Sequence, residues 1–240
     1  IMVESMKYWL EILEIIEKDK TNCELSEIAK VIFKKDEYLQ NINSLWLLHS
    51  NIFYKENENV LIWNVAFNKN ESNEFTKELL ENRVELFCKE RNIKYSKKTL
   101  QDSVNVFIKV YCKETDKVFN PEDNIVSPFS RLKCIEKTVD KLYKIRYIDP
   151  KEISEYLIYY LLIKKYRGYK GTVQLSLIEA YEYIYKVIRL SYLDFEKILE
   201  LLEGKNEIHI DRAVGLNIIT IDVEKESEKE ILNKILGSEL

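Results

Sequence analysis

The chain has 240 residues, 46% of them hydrophobic and 32% charged, which allows one large domain or two smaller ones with a real core and excludes a long disordered tract. Only 5 Gly and 3 Pro occur, too few for the many tight turns of an all-β protein, so the expected class is mainly α with small β-hairpins, an α+β chain. The net charge of -4 argues against a uniformly basic nucleic-acid binder, but the charges are segregated: between Arg83 and Lys170, 20 Lys/Arg against 12 Asp/Glu leave a balance of +8, and the remainder carries -12.

Residues 1 to 18 place Glu4, Lys7, Glu11, Glu14 and Lys18 at three-and-four spacing, a narrow polar stripe on an otherwise apolar helix, so Met2, Met6, Trp9, Leu10, Leu13 and Ile16 are expected to be packed. The helix begins with no N-cap before it, which reads as an N-terminal truncation. Leu25 to Lys35 and Ser44 to Phe53 read as further helices, and Val60 to Phe67 alternates like a strand. Helices follow at about Glu74 to Glu90, capped by Ser72 or Asn73, and at Lys98 to Cys112. Asn120 to Ser130 holds two of the three prolines and is the best internal boundary, giving a helical domain with one or two strands over 1–119 and a second domain over 120–240. Cys134 to Val139 and Leu142 to Ile148 have the length of paired strands around Asp140 and Lys141, with a helix still open as the alternative. A helix at Glu152 to Tyr166, a short extended piece at Thr172 to Leu175, helices at Leu177 to Ile188 and Tyr192 to Glu203, extended segments at Glu207 to Asp211 and Leu216 to Asp222, and a closing helix complete the chain. That order is winged-helix-like, but Asp194, Glu196, Glu200 and Glu203 outnumber Lys197 on the helix that would enter a DNA groove, so the module is expected to bind protein or to be structural.

Cys23, Cys88, Cys112 and Cys134 form no CxxC pair and follow no secretory signal, which fits reduced thiols in a cytoplasmic protein. The longest apolar run, Tyr156 to Ile163, is far short of the roughly 20 residues that cross a bilayer, so no membrane contact is expected. Walker A, GxGxxG, GxSxG and HExxH patterns are absent, which removes the usual support for small-molecule enzymology.

Leu39 to Phe67, LQNINSLWLLHSNIFYKENENVLIWNVAF, resembles a signature of the bacterial family known as domain of unknown function 4007. The opening MVESMKYWLEILEII is similar to the helix preceding that signature, and EFTKELL, LQDSVNVFIKVY, PEDNIVSPFSRL and, more weakly, VQLSLIEAYEYI to RAVGLNIITI follow in the family's order, so the resemblance covers nearly the whole chain. The family includes the SspB component of Ssp DNA phosphorothioation systems. The resemblance therefore implies a DNA-binding, DNA-nicking protein that works with a cysteine desulfurase, an ATPase and a sulfur-transfer enzyme, or else a non-catalytic adaptor that docks such partners through its C-terminal module. Two departures matter: the family's short Gly-His-Glu opening is missing, and Ser127 stands before Pro128 where the family often has cysteine.

A nickase needs Mg2+ or Mn2+ held by carboxylates, or a Tyr, Ser or His nucleophile, and the sequence shows no complete set. The candidates are His49, whose competing reading is a core histidine, and the adjacent loop acids Glu122 and Asp123, which compete with simple solvation. Asp102 reads as a helix-start carboxylate, His209 with Asp211 as a surface pair, and Trp46 and Trp63 as core. For DNA the candidates are Lys164, Lys165, Arg167 and Lys170, interleaved with Tyr166 and Tyr169 beside Gly168 and Gly171, extended by Arg131, Lys133, Lys141, Lys144 and Arg146. Their competing reading is a solvated helix end.

Overall fold

Most helices start where a serine or threonine hydroxyl replaces a missing intrahelical acceptor, and these caps punctuate the fold. The computed structural model describes residues 2–18, 23–54, 60–68, 72–112, 126–138, 141–215 and 217–237. The chain packs as two compact units, one formed by Ile1–Tyr54 together with Ile148–Leu240 and the other by Lys55–Tyr147. The packing boundaries therefore lie near 54 and near 147 rather than near 120, and the first unit is discontinuous in sequence.

In the first unit α1 (Met2–Ile12) is shorter than its polar stripe suggests. Glu14 turns the chain through the left-handed region at φ 51, and β1 (Ile16–Lys18) then pairs antiparallel with β2 (Cys23–Leu25). The start of α1 is also more open than its apolar face implies, with Val3 73% and Met6 59% exposed. Ser26 caps α2 (Glu27–Lys35) by accepting from the Ala29 amide at 3.1 Å. The run NSLWLLHSNI makes α3 (Ile42–Tyr54) a central helix buried on nearly every side from Asn43 to Ile52.

The second unit opens with a correction. Val60 to Phe67 is not a strand: Leu61 to Phe67 belong to α4 (Leu61–Asn68). Alternation tells strand from helix only when one face meets water, and here Ile62, Trp63, Val65, Ala66 and Phe67 are all buried. A two-residue β3 (Glu74–Phe75) precedes α5 (Lys77–Glu90), whose cap is Thr76 rather than Ser72 or Asn73. Ser96 caps α6 (Lys97–Tyr111). Trp63 stands edge-on to Phe107, and its indole N–H donates to the Tyr111 hydroxyl at 2.9 Å, so α4 and α6 share one aromatic core. Ser127 caps a short 3-10 helix (Pro128–Leu132) by accepting from the Phe129 amide, which gives this serine a structural use. The expected hairpin is present as β4 (Ile135–Lys137) against β5 (Tyr143–Ile145), with β3 on the other edge of β5, a three-stranded antiparallel sheet in the order β3-β5-β4.

The chain then returns to the first unit. Ser154 starts α7 (Glu155–Lys165), whose residues Leu157 to Leu162 are all buried. After a glycine-flanked loop come β6 (Thr172–Ser176), α8 (Leu177–Val187), α9 (Tyr192–Gly204), β7 (His209–Asp211), β8 (Ile218–Asp222) and α10 (Glu228–Gly237). β8 lies between β6 and β7, pairing antiparallel with both. The chain is mainly helical with small antiparallel sheets, as expected. All four cysteines are free. Among the described residues no helix is long and apolar enough to cross a membrane.

Candidate functional site

The C-terminal turn of α7 is where polar chemistry enters the first unit. Lys164 follows the buried run of α7 and is itself 4% exposed. Its ammonium donates to Glu14 Oε2 at 2.6 Å and to Asn51 Oδ1 at 2.5 Å, while Asn51 Nδ2 donates to the Leu13 carbonyl at 2.7 Å. Burial holds the Lys164 pKa below the ordinary lysine value, and the Glu14 carboxylate opposes that shift. This network ties the turn after α1 to α3 and α7.

Beside it a cleft of about 160 Å³ is lined by Tyr160, Tyr166, Arg167, Tyr169, Glu226 and Glu228. The Tyr160 hydroxyl donates to Glu228 Oε1 at 2.8 Å, and burial, followed by the Glu228 charge, pushes its pKa well up, so it stays a neutral donor. Arg167 Nη2 lies 3.6 Å from Glu17 and 4.0 Å from Glu228. The rings of Tyr166 and Tyr169 meet edge to face at 5.7 Å. Gly168 and Gly171 take φ of 92 and 69, which lets the loop fold back so that the Gly171 amide donates to Glu224 Oε2. The rim of the cleft thus combines aromatic faces with alternating charge, and Lys170 stands exposed just beyond it.

The structure sorts the sequence's candidates. Lys164 is corrected: its charge is inside and satisfied, and it presents nothing to a polyanion. Lys165 pairs with Glu179 at 2.5 Å over the rings of Tyr166 and Tyr183. Among the described residues Lys170 has no ion-pair partner. In the second unit the exposed face of the sheet sets Lys144 between Glu74 and Glu136 across the strands, and Arg146 donates to the Lys133 carbonyl at 3.0 Å beside Glu136. Arg131, Lys133 and Lys141 are exposed. The 164–170 and 131–146 groups therefore belong to different units.

His49 is also corrected. Its ring is edge-on to Trp46 at 5.2 Å and 5.0 Å from Phe53, its Nε2 meets the Val187 carbonyl at 3.2 Å, and burial pushes its pKa down to about 3. It is a neutral, fully buried core donor. Trp46 and Trp63 are core residues, in agreement with the sequence. His209 is exposed 3.7 Å from Glu203, and Asp211 accepts from the Ala213 amide. Glu122 and Asp123 lie outside the described residues. Sequence reasoning misses Glu14, Asn51, Tyr160 and Glu228. One signal is available: a lysine ending a helix that is apolar all round must be buried and needs a carboxylate.

Two solved structures share this fold, an SspB crystal structure and a magnesium ion-bound SspB crystal structure. Each is 18% identical, superposes with a TM-score of 0.76, and is matched over 97% of this chain and 80% of its own. A family model described as "Protein of unknown function (DUF4007)" matches residues 1–236. No curated protein matches the chain. Among the described residues no group of three or more His, Cys, Asp or Glu is placed to hold a metal ion; of the two cleft carboxylates, Glu228 accepts from Tyr160 and Glu226 Oε1 from Lys234, while Glu226 Oε2 is buried with no hydrogen-bond partner among the described residues. These residues do not fit a protein-held metal centre.

Proposed function

The chain belongs to the DUF4007 family, and from that premise we propose that it is the DNA-engaging component of a DNA phosphorothioate modification and defence system, and that it nicks DNA there with Mg2+ or Mn2+. The observation that carries this reading is the likeness to SspB over 97% of the chain. The partners proposed with it are a cysteine desulfurase, an ATPase and a sulfur-transfer enzyme. For DNA contact the exposed positions favour Arg167, Tyr169 and Lys170, together with Lys165, in the first unit, and Arg131, Lys144 and Arg146 in the second. Their surface ion pairs, worth about 0–1 kcal/mol each, exchange readily for phosphate. Glu122 and Asp123 remain the sequence's candidates for the metal.

We read α7 through β8 as a winged-helix-like module, because helix, strand, helix, helix and hairpin follow in that order with the third strand between the other two. Its α9 carries carboxylates where a groove reader needs cations, which favours the second reading, an adaptor that docks proteins.

Supercoiled plasmid incubated with the purified protein, with Mg2+ or Mn2+ and with chelator, separates the two. Metal-dependent conversion to open circle supports the nickase. DNA affinity that falls steeply with salt, without strand cleavage, supports the adaptor, and no binding at low salt defeats both.

A further inference from the structure

α9 is anchored by one face and leaves the other open. Ser191 caps it, and Phe195, Ile198, Leu199 and Leu202 are buried. On the other side Leu193 is 69% and Leu201 56% exposed, with Glu196, Lys197 and Glu200 between them. At 100° per residue these five positions fall on one face, and the two leucines stand about 12 Å apart along the axis. The local cations are committed: Lys197 to Asp194 at 2.8 Å, Lys205 to Glu155, and Arg212 to Glu203 at 2.8 Å. Among the described residues no cation lies within ion-pair distance of Glu196 or Glu200; the Arg212 charge feels both, but its guanidinium is held by Glu203.

Two exposed leucines spaced by two helical turns, with two carboxylates between them that have no ion pair among the described residues, Glu196 being hydrogen-bonded to Tyr192, form half of a helix-in-groove or helix-on-helix contact. DNA is excluded as the occupant because its phosphates would meet those carboxylates. A second copy of the same face is disfavoured because Glu196 and Glu200 would oppose their own counterparts. We propose that the exposed face of α9 docks a basic amphipathic protein helix, whose apolar side covers Leu193 and Leu201 and whose Lys or Arg residues meet Glu196 and Glu200. This deepens the adaptor reading and rests on it, and it does not depend on DNA nicking.

The test titrates a dye-labelled helical peptide, with Leu at i, i+3, i+4 and i+7 and Lys elsewhere, and its Leu/Glu counterpart, onto the full chain by fluorescence anisotropy. The expected result is binding of the basic peptide alone, weakened at least tenfold by E196K/E200K and by L193A/L201A. The charge-matched control E24K/E37K, at exposed positions away from α9 in sequence, changes affinity less than threefold. Amide chemical shifts of the unmutated protein, which need no variant to fold, are expected to move along α9 as the peptide is added. Equal binding by all variants, no binding, or shifts confined to other elements would each overturn the proposal. DNA affinity measured on L193A/L201A, which leaves the charge unchanged, is expected to stay the same, so failure here and failure of the DNA reading are told apart.

Discussion

The basic run 164–170 of the first unit and the basic hairpin region 131–146 of the other are similar in sequence, and folding treats them in opposite ways. In the run the first lysine goes inside: Lys164 is matched by Glu14 and Asn51, which lie 150 and 113 positions away, and only Lys170 keeps an unpaired charge among the described residues. In the hairpin the cations stay at the surface, and Lys144 is offset by its cross-strand neighbours Glu74 and Glu136. A buried charge demands a complete set of partners at hydrogen-bond distance, whereas an exposed sheet face needs only alternation. The first lysine of one stretch is therefore part of the architecture, whereas the hairpin cations remain free to exchange partners.

That contrast can be broken experimentally, and the largest effect belongs to the buried group. Lys164→Ala leaves the Glu14 carboxylate buried without its cation and is expected to cost about 3–5 kcal/mol in urea unfolding. Pairing Lys164→Met with Glu14→Gln is expected to recover much of that loss. A single-variant cost below about 1 kcal/mol would erase the distinction between the two regions.

His49 extends the buried class to pH. Its folded pKa, about 3, lies below the ordinary 6.5, so between those values the unfolded chain binds the extra proton. The His49 contribution is present in full above pH 6.5 and is lost as pH falls, at about 1.4 kcal/mol per pH unit. Unfolding free energies at pH 7 and pH 5 should show roughly 2 kcal/mol of this loss, and His49→Leu should lack it. An unchanged slope in that variant would move the titrating group elsewhere.

The surface class predicts small numbers. Lys144→Ala is expected to change stability by less than about 1 kcal/mol. Lys170→Ala should leave the unfolding curve where it is, while lowering the salt dependence of DNA binding by about one counterion. If instead Lys144→Ala unfolds the protein as readily as Lys164→Ala, the sheet face is structural and the proposed contact surface shrinks to the loop of the first unit.

Local physics is legible in this chain. The strand-helix-helix-hairpin order after α7, the β4/β5 hairpin and the aromatic core positions Trp46 and Trp63 all follow from periodicity and turn residues. The errors have specific causes. α4 reads as a strand because Ile62, Trp63, Val65, Ala66 and Phe67 are all buried and only Asn64 and Asn68 mark a polar phase, too few positions to reveal the period. α1 reads too long because nothing local announces that Glu14 turns left-handed. The proline-rich segment near 120 reads as the boundary because composition marks loops, and a unit assembled from two separated stretches leaves no compositional trace.

The candidate site divides along the same line. The cations and tyrosines of 164–170 stand out in the sequence, but the residues that decide their roles, Glu14, Asn51 and Glu228, lie far away along the chain. By itself the sequence determined the helical class and the acidic character of α9, because these depend on neighbours within a turn or two. Only the tertiary structure decided which lysine is buried, which histidine is neutral and which leucines are left uncovered, because burial and pairing are set by groups brought together from distant parts of the chain.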